Sequence, residues 1–154
     1  MADDHFRATV SPAISYRDPK AALQWLEEAF GFEPFMVVTD KDGNLLHSEM
    51  RVGEDGVLMI GSEWSEDHRS PASLGGKNTQ SVHIQMKEGI DAHCERARRA
   101  GAAILRGPSD QFYGDRGYTA RDLEGHVWTF GQTVKRLTRE EWDRAGGTIT
   151  RSRL

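Results

Sequence analysis

Asp18-Pro19-Lys20-Ala21-Ala22-Leu23-Gln24-Trp25-Leu26-Glu27-Glu28-Ala29-Phe30-Gly31 reads as one capped amphipathic helix. Asp18 is a good N-cap, because its carboxylate accepts from a free N–H of the first turn. Pro19 falls at the first helical position, where a missing N–H costs nothing. Ala22, Trp25, Leu26, Ala29 and Phe30 share one face, and Gly31 supplies a left-handed cap. Seventy positions on, the pattern returns and ends at Ala100-Gly101, with Ile90, His93, Cys94, Ala97 and Ala100 on one face. The closing strand recurs too: Gly56-Val57-Leu58-Met59-Ile60-Gly61 matches Gly125-His126-Val127-Trp128-Thr129-Phe130-Gly131. Self-similarity at a fixed offset names an architecture. Two copies of so long a unit exclude a solenoid. The expected fold is α+β: two tandem βαβββ modules forming a cupped mixed sheet with a shared cavity.

The strands follow outward from the helices. Residues 8–16 alternate around Val10, Pro12, Ile14 and Tyr16, with Pro12 favouring an edge or a bulge. Residues 35–39 form a second strand, Asp42-Gly43 a hairpin turn, residues 45–52 a third strand and residues 57–61 a fourth. This gives module one at 8–62, a polar linker at 63–80 and module two at 81–132. In module two the strands fall at 81–86, from 102 to 105, near 118–121 and at 127–130, with an irregular segment over 107–113. Residues 1–137 make one domain. The tail, 138–154, carries a capping box, Thr138-Arg139-Glu140-Glu141, before Trp142, which predicts a short helix. Gly146-Gly147 and the basic end read as loose.

The chain has 154 residues, 37% hydrophobic and 29% charged, as expected of a soluble domain with its own core. A net charge of −4 argues against nucleic-acid or anionic-membrane partners. Met1-Ala2-Asp3-Asp4-His5 lacks the bases of a signal peptide, and no apolar run reaches membrane-spanning length. A lone Cys94 excludes an intramolecular disulfide and fits a reducing compartment, the cytoplasm. No phosphate-binding glycine loop and no serine or cysteine nucleophile set is present.

The passage Tyr113-Gly114-Asp115-Arg116-Gly117-Tyr118-Thr119-Ala120-Arg121-Asp122-Leu123-Glu124-Gly125-His126-Val127-Trp128-Thr129-Phe130 resembles the glyoxalase, bleomycin-resistance and dioxygenase superfamily, the vicinal oxygen chelate fold. His47-Ser48-Glu49-Met50-Arg51-Val52-Gly53 and Val57-Leu58-Met59-Ile60 are similar to its PhnB-like branch. The resemblance covers residues 8–131. It implies the fold and a homodimer, but it leaves function open among isomerases, dioxygenases, thiol transferases and drug-binding proteins. In the family's metal enzymes the ligands stand on the first and last strand of each module. Here that implies Ser11 or Ala13, Met59, His83 and Thr129. Only His83 is a natural ligand, so the inherited metal centre reads as lost and no cofactor is expected. The one metal alternative is a divalent ion held by His83, His47 and Glu49.

Strand alternation gives an independent reading of the site. Leu46, Ser48, Met50 and Val52, with Leu58, Ile60, Trp128 and Phe130, fall under the helices. The opposite faces bring His47, Glu49, Arg51, His83, Gln85, Thr119 and Arg121 into the cup, above a floor of Val57, Met59, Val127 and Thr129. His47, Glu49 and His83 are the acid–base candidates; the bland alternative is a solvated sheet face for His47 and Glu49, and a vestigial or hydrogen-bonded strand histidine for His83. Trp64 is a rim residue, a partner contact or a residue packed under the linker. Asp115 and Arg116 pin the turn after Tyr113 by hydrogen bonds. The expected function is metal-independent binding of a small molecule, as in drug or metabolite sequestration. The alternative is a lyase, isomerase or dioxygenase-type enzyme with a non-standard metal or acid–base site.

Overall fold

In a computed structural model, which describes residues 6–154, the helix that opens the repeat forms as its sequence dictates. α1 (Pro19–Phe30) starts where Asp18 Oδ1 accepts from Ala21 N at 3.0 Å. It ends at Gly31, whose φ of 72° carries its N–H to Glu27 O. The expectation for Met1-Ala2-Asp3-Asp4-His5 lies outside the described residues. α2 (Ile90–Arg99) is the counterpart. Its N-cap, Gly89, has no side chain, and Gln132 Oε1 accepts from Ile90 N at 3.0 Å instead. The strands are β1 (Ala13–Tyr16), β2 (Glu33–Thr39), β3 (Leu45–Val52), β4 (Gly56–Ser62), β5 (Val82–Met86), β6 (Ala103–Asp110), β7 (Asp115–Arg121) and β8 (Val127–Thr133), followed by α3 (Arg139–Gly146). They form two four-stranded sheets, ordered β1-β4-β3-β2 and β5-β8-β7-β6. The first pair of each is parallel and the rest are antiparallel. The repeat carries into the register. Ala13 pairs with Met59 as His83 pairs with Thr129, and Glu49 with Met59 as Thr119 with Thr129.

The helices close each other's C-termini, which otherwise expose unpaired carbonyls. Trp25 Nε1 donates to Ala100 O at 2.7 Å, and His93 Nε2 donates to Phe30 O at 2.9 Å. Residues 30 and 100 are the same position of the two modules, so the capping is reciprocal. Arg96 adds bonds to Glu28 O and Glu27 O at 2.7 and 2.9 Å. One core spans both modules: Phe30 and Phe32 of module one pack against Trp128 and Phe130 of module two. The opposite face of each sheet looks away from this core.

The module-two turn Asp122-Leu123-Glu124-Gly125-His126 is the other lock between modules. Asp122, 7% exposed, accepts at Oδ2 from Tyr16 Oη at 2.6 Å and from Trp128 Nε1 at 3.0 Å. Its Oδ1 accepts from Glu124 N and His126 N, each at 3.0 Å. Burial, then the Asp122 charge, pushes the Tyr16 phenol well above its ordinary range. Glu124 receives Arg17 N at 2.7 Å, Asp18 N at 2.9 Å and Ser70 Oγ at 2.7 Å, which ties the start of α1 and the linker to module two. The repeat places Glu54 opposite Lys87 in the same way, as a surface ion pair.

Four expectations are corrected. β1 begins at Ala13 rather than at residue 8: Pro12 has no N–H for a ladder, although its carbonyl accepts from Met59 N at 2.9 Å. β6 runs through the segment expected to be irregular, to Asp110. Its pairing slips between Ile104 and Arg106 and again between Arg106 and Ser109, and an edge strand tolerates Pro108. Leu46 is 63% exposed rather than helix-covered. The pairing of β2 with β3 slips between Val38 and Thr39, and that bulge turns Leu45, not Leu46, toward the core. The Gly146-Gly147 step is an α3 cap rather than a loose end: Gly147 has φ 66°, and Asp143 and Trp142 bond Thr148 and Thr150 beyond it. No helix among the described residues is long and apolar enough to cross a membrane.

Candidate functional site

β3, central in its sheet, sends His47, Glu49 and Arg51 to one face by alternation. Glu49 is 6% exposed, and its Oε1 lies 3.0 Å from His47 Nε2. Met36 and Met59 flank it in the ladder. The Arg51 guanidinium carbon lies 4.7 Å from the centre of the Phe35 ring and 5.6 Å from that of Phe6. Neither ring was read as part of the site. Phe35 is the extra residue at the slip between Pro34 and Met36, and Phe6 lies outside any periodic element.

The face of the second sheet carries a directed hydrogen-bond chain. Gln85 Nε2 donates to Asp115 Oδ2 at 3.1 Å and to Thr133 Oγ1 at 3.2 Å. A carboxylate only accepts, so the amide nitrogen is fixed there and Gln85 Oε1 faces His83 Nε2 at 3.0 Å. His83 therefore carries its proton on Nε2. Its Nδ1 lone pair accepts the Thr129 hydroxyl at 2.7 Å. Gly131 makes room for this: a Cβ there would meet Gln85 Oε1 at 2.9 Å and His83 Cε1 at 3.1 Å. Thr119 stands opposite Thr129, and Arg121 opposite Val127. Asp115 and Thr133 were missed as members of this chain. Arg116 pins the turn through Asp91 and Asp110 at 2.8 and 3.0 Å, while Asp115 takes the Thr133 hydroxyl at 2.8 Å.

The polar side chains of the expected cup fall into two hydrogen-bonded groups, one on each sheet. His47 and Glu49 join each other, and His83, Gln85, Thr129 and Asp115 join one another on the other sheet. Between the modules, along the free edge of β5, lies a cavity of about 760 Å³. Val10, Pro12, Phe32, Val57 and Ile84 give it apolar walls, and His83 and Gln85 reach it from β5. Trp64 is 71% exposed and stacks on His68, with ring centres 4.0 Å apart, so it does not pack beneath the linker. Among the described residues no group of three or more His, Cys, Asp or Glu side chains is placed to hold a metal ion.

His93 also borders the cavity. Its Nε2 proton goes to Phe30 O, so Nδ1 accepts from Tyr118 Oη at 2.6 Å. Burial holds this imidazole below its ordinary range, and burial pushes the Tyr118 phenol up. With the folded-state value lowered, this contribution is full above about pH 6.5 and is lost as pH falls below it. From about pH 7 to about pH 5 the urea midpoint of the wild type is expected to drop more than that of His93→Gln. The Gln amide makes both bonds without titrating.

A profile described as Glyoxalase/Bleomycin resistance protein/Dioxygenase superfamily matches residues 4–130. An uncharacterised protein of Mycobacterium bovis is 29% identical over 135 residues, covering 86% of this chain and 88% of its own. Among solved structures, TioX from Micromonospora sp. ML1 is 30% identical with a TM-score of 0.67, covering 82% of this chain and 99% of that one. TnmS3, an antibiotic binding protein from Streptomyces sp. CB03234, is 20% identical with a TM-score of 0.63, covering 86% and 99%.

Proposed function

This chain belongs to the glyoxalase/bleomycin resistance protein/dioxygenase superfamily, and within it we propose a cytoplasmic, metal-independent protein that binds a small molecule, sequestering a drug or metabolite. The observation that carries this reading is the commitment of His83. Both ring nitrogens are engaged, Nδ1 by the Thr129 hydroxyl and Nε2 by Gln85. The other inherited positions offer a thioether, Met59, and a neutral hydroxyl, Thr129. These do not fit a hard or borderline divalent cation. The alternative trio fits no better, since Glu49 is held by His47 on the other sheet. A mostly apolar cavity of about 760 Å³ with a few convergent polar groups suits a small organic ligand. That TnmS3 binds an antibiotic lends support at the level of the fold. The PhnB-like likeness of residues 47–60 is compatible with this reading.

We read the protein as a homodimer as well. His83, Gln85 and Arg121 are exposed on an open sheet face that a second copy can close. The enzyme reading keeps one specific support: a hydroxyl donating to an imidazole backed by an amide and a carboxylate is a general-base arrangement.

Elemental analysis of protein purified without chelator or added metal tests the proposal, followed by tryptophan-fluorescence titration with a panel of aromatic antibiotics. We expect substoichiometric metal and saturable quenching, with the antibiotic recovered unchanged. One equivalent of a divalent metal overturns metal independence, and turnover abolished by His83→Gln favours the enzyme.

A further inference from the structure

The cavity of about 760 Å³ between the modules is shaped by one strand's edge. Val82, Ile84 and Met86 line it from one face of β5, and His83 and Gln85 line it from the other. A cavity touched by both faces of a strand lies against that strand's edge. β5 pairs along its whole length with β8 and ends its sheet. No backbone group elsewhere among the described residues bonds to its outer side. Alternate residues of such a strand turn N–H and C=O outward, unpaired. The module-one wall, with Val10, Phe32 and Val57, is apolar. Pro12 in it has no N–H to give, and its carbonyl is taken by Met59 N at 2.9 Å. An apolar ligand that drove water from this edge would leave the β5 groups unpaired, which is costly. A ligand carrying donors and acceptors at strand spacing pairs them. The rim also has a sign. Lys87 and Glu88 follow β5 directly, and Glu54 and Asp55 line the same end from the turn between β3 and β4. Lys87 is ion-paired to Glu54, while Asp55 and Glu88 form no ion pair among the described residues. Three carboxylates against one ammonium leave that end of the cavity two charges negative.

We infer that this cavity takes a short, extended, cationic peptide: its backbone adds as a further strand to the free edge of β5, its apolar side chains face the module-one wall, and its cation meets Asp55 and Glu88. β5 has five residues, about 16 Å of strand, so the ligand is a peptide of about that length. The inference rests on the binding reading and names its ligand class, a peptidic compound. No bond is made or broken. Main-chain hydrogen bonds supply affinity, and the acid rim selects the charge.

The probe is the pentapeptide acetyl-KVIVK-amide, titrated into the full-length protein by NMR. A lysine at each end lets either strand direction bring one to the acids. We expect saturable binding, with new protection from hydrogen exchange at alternate β5 amides. The probe is then N-methylated at one amide at a time. Alternate positions are expected to weaken binding about tenfold, and those between them less than about twofold. A period of two is the signature of strand addition, which a ligand held by its side chains alone does not give. Asp55 and Glu88 are exposed, so the double variant Asp55→Asn, Glu88→Gln leaves the core untouched. It is expected to bind the parent peptide about fivefold more weakly at low salt, a difference that closes as salt is raised. No binding, or methylation losses without that period, overturns the inference. So does protection of the same β5 amides in peptide-free protein that grows with protein concentration, because a second copy then holds the edge. Unchanged affinity in the double variant overturns the assignment of charge. The metal analysis and the antibiotic titration use none of these peptides and judge the binding reading by themselves.

Discussion

Asp122→Ala is expected to lower folding stability by about 3–5 kcal/mol, read as a fall in the urea midpoint with unchanged slope. The carboxylate is 7% exposed and accepts four hydrogen bonds. Removing it leaves the Tyr16 hydroxyl and the Trp128 indole N–H buried without an acceptor; both residues are 0% exposed. Each unsatisfied donor costs about 1–3 kcal/mol. The two turn amides, Glu124 N and His126 N, lie nearer solvent and add less. Losing the turn also loosens Glu124 from Arg17 N and Asp18 N, so the effect crosses from one module to the other. Trp128→Phe separates the terms. It deletes one donor, keeps most of the ring volume, and is expected to cost about 1–2 kcal/mol. A loss below about 1 kcal/mol for Asp122→Ala would show that water replaces the carboxylate and that the turn is not a lock.

The passage from Tyr113 to Phe130 that suggested the family earns its place partly through this lock. Asp122, Glu124 and His126 hold Tyr16, Arg17, Asp18 and Ser15 of the other module, which are long-range partners that no local pattern announces. What the sequence did announce was local or periodic. Asp18, Pro19 and Gly31 bracket α1 because capping is decided within one turn, and β3 occupies residues 45–52 as alternation predicted. The seventy-residue offset even anticipated the ladder, where Glu49 and Thr119 hold matching places. β6 was not legible, because two slips in register break its period. The start of α2 had no cap signal, since its cap comes from Gln132 on another strand. Alternation paired His47 with Glu49 and His83 with Gln85 on shared strand faces, and each pair is hydrogen-bonded. It carried no information on how the two sheets are placed, nor on which polar side chains bond one another across strands.

Phe30→Ala is the second large effect, expected at about 3–5 kcal/mol. The ring is 3% exposed and meets Trp25, Phe32, His93, Trp128 and Phe130 at centre distances of 5.2, 5.4, 6.0, 5.6 and 4.8 Å. Its cost exceeds area alone, because rigid rings on all sides cannot collapse into the space. The same position of module two is Ala100, and the asymmetry has a reason. A large ring on one side of the seam and a small side chain on the other fill it once, and Ala100 leaves its carbonyl open to Trp25 Nε1. Ala100→Phe alone is therefore expected to destabilise, by about 1–3 kcal/mol through overpacking. The double swap, Phe30→Ala with Ala100→Phe, should fail to recover wild-type stability, because Trp25 already occupies the approach to residue 100. Recovery within about 0.5 kcal/mol would mean that the seam tolerates either arrangement and that the two modules have not specialised against each other. Phe30 also borders the cavity along β5, so its loss joins that cavity to the core. Binding of an aromatic antibiotic that survives Phe30→Ala in folded protein would locate the ligand on the open sheet faces rather than in the cavity.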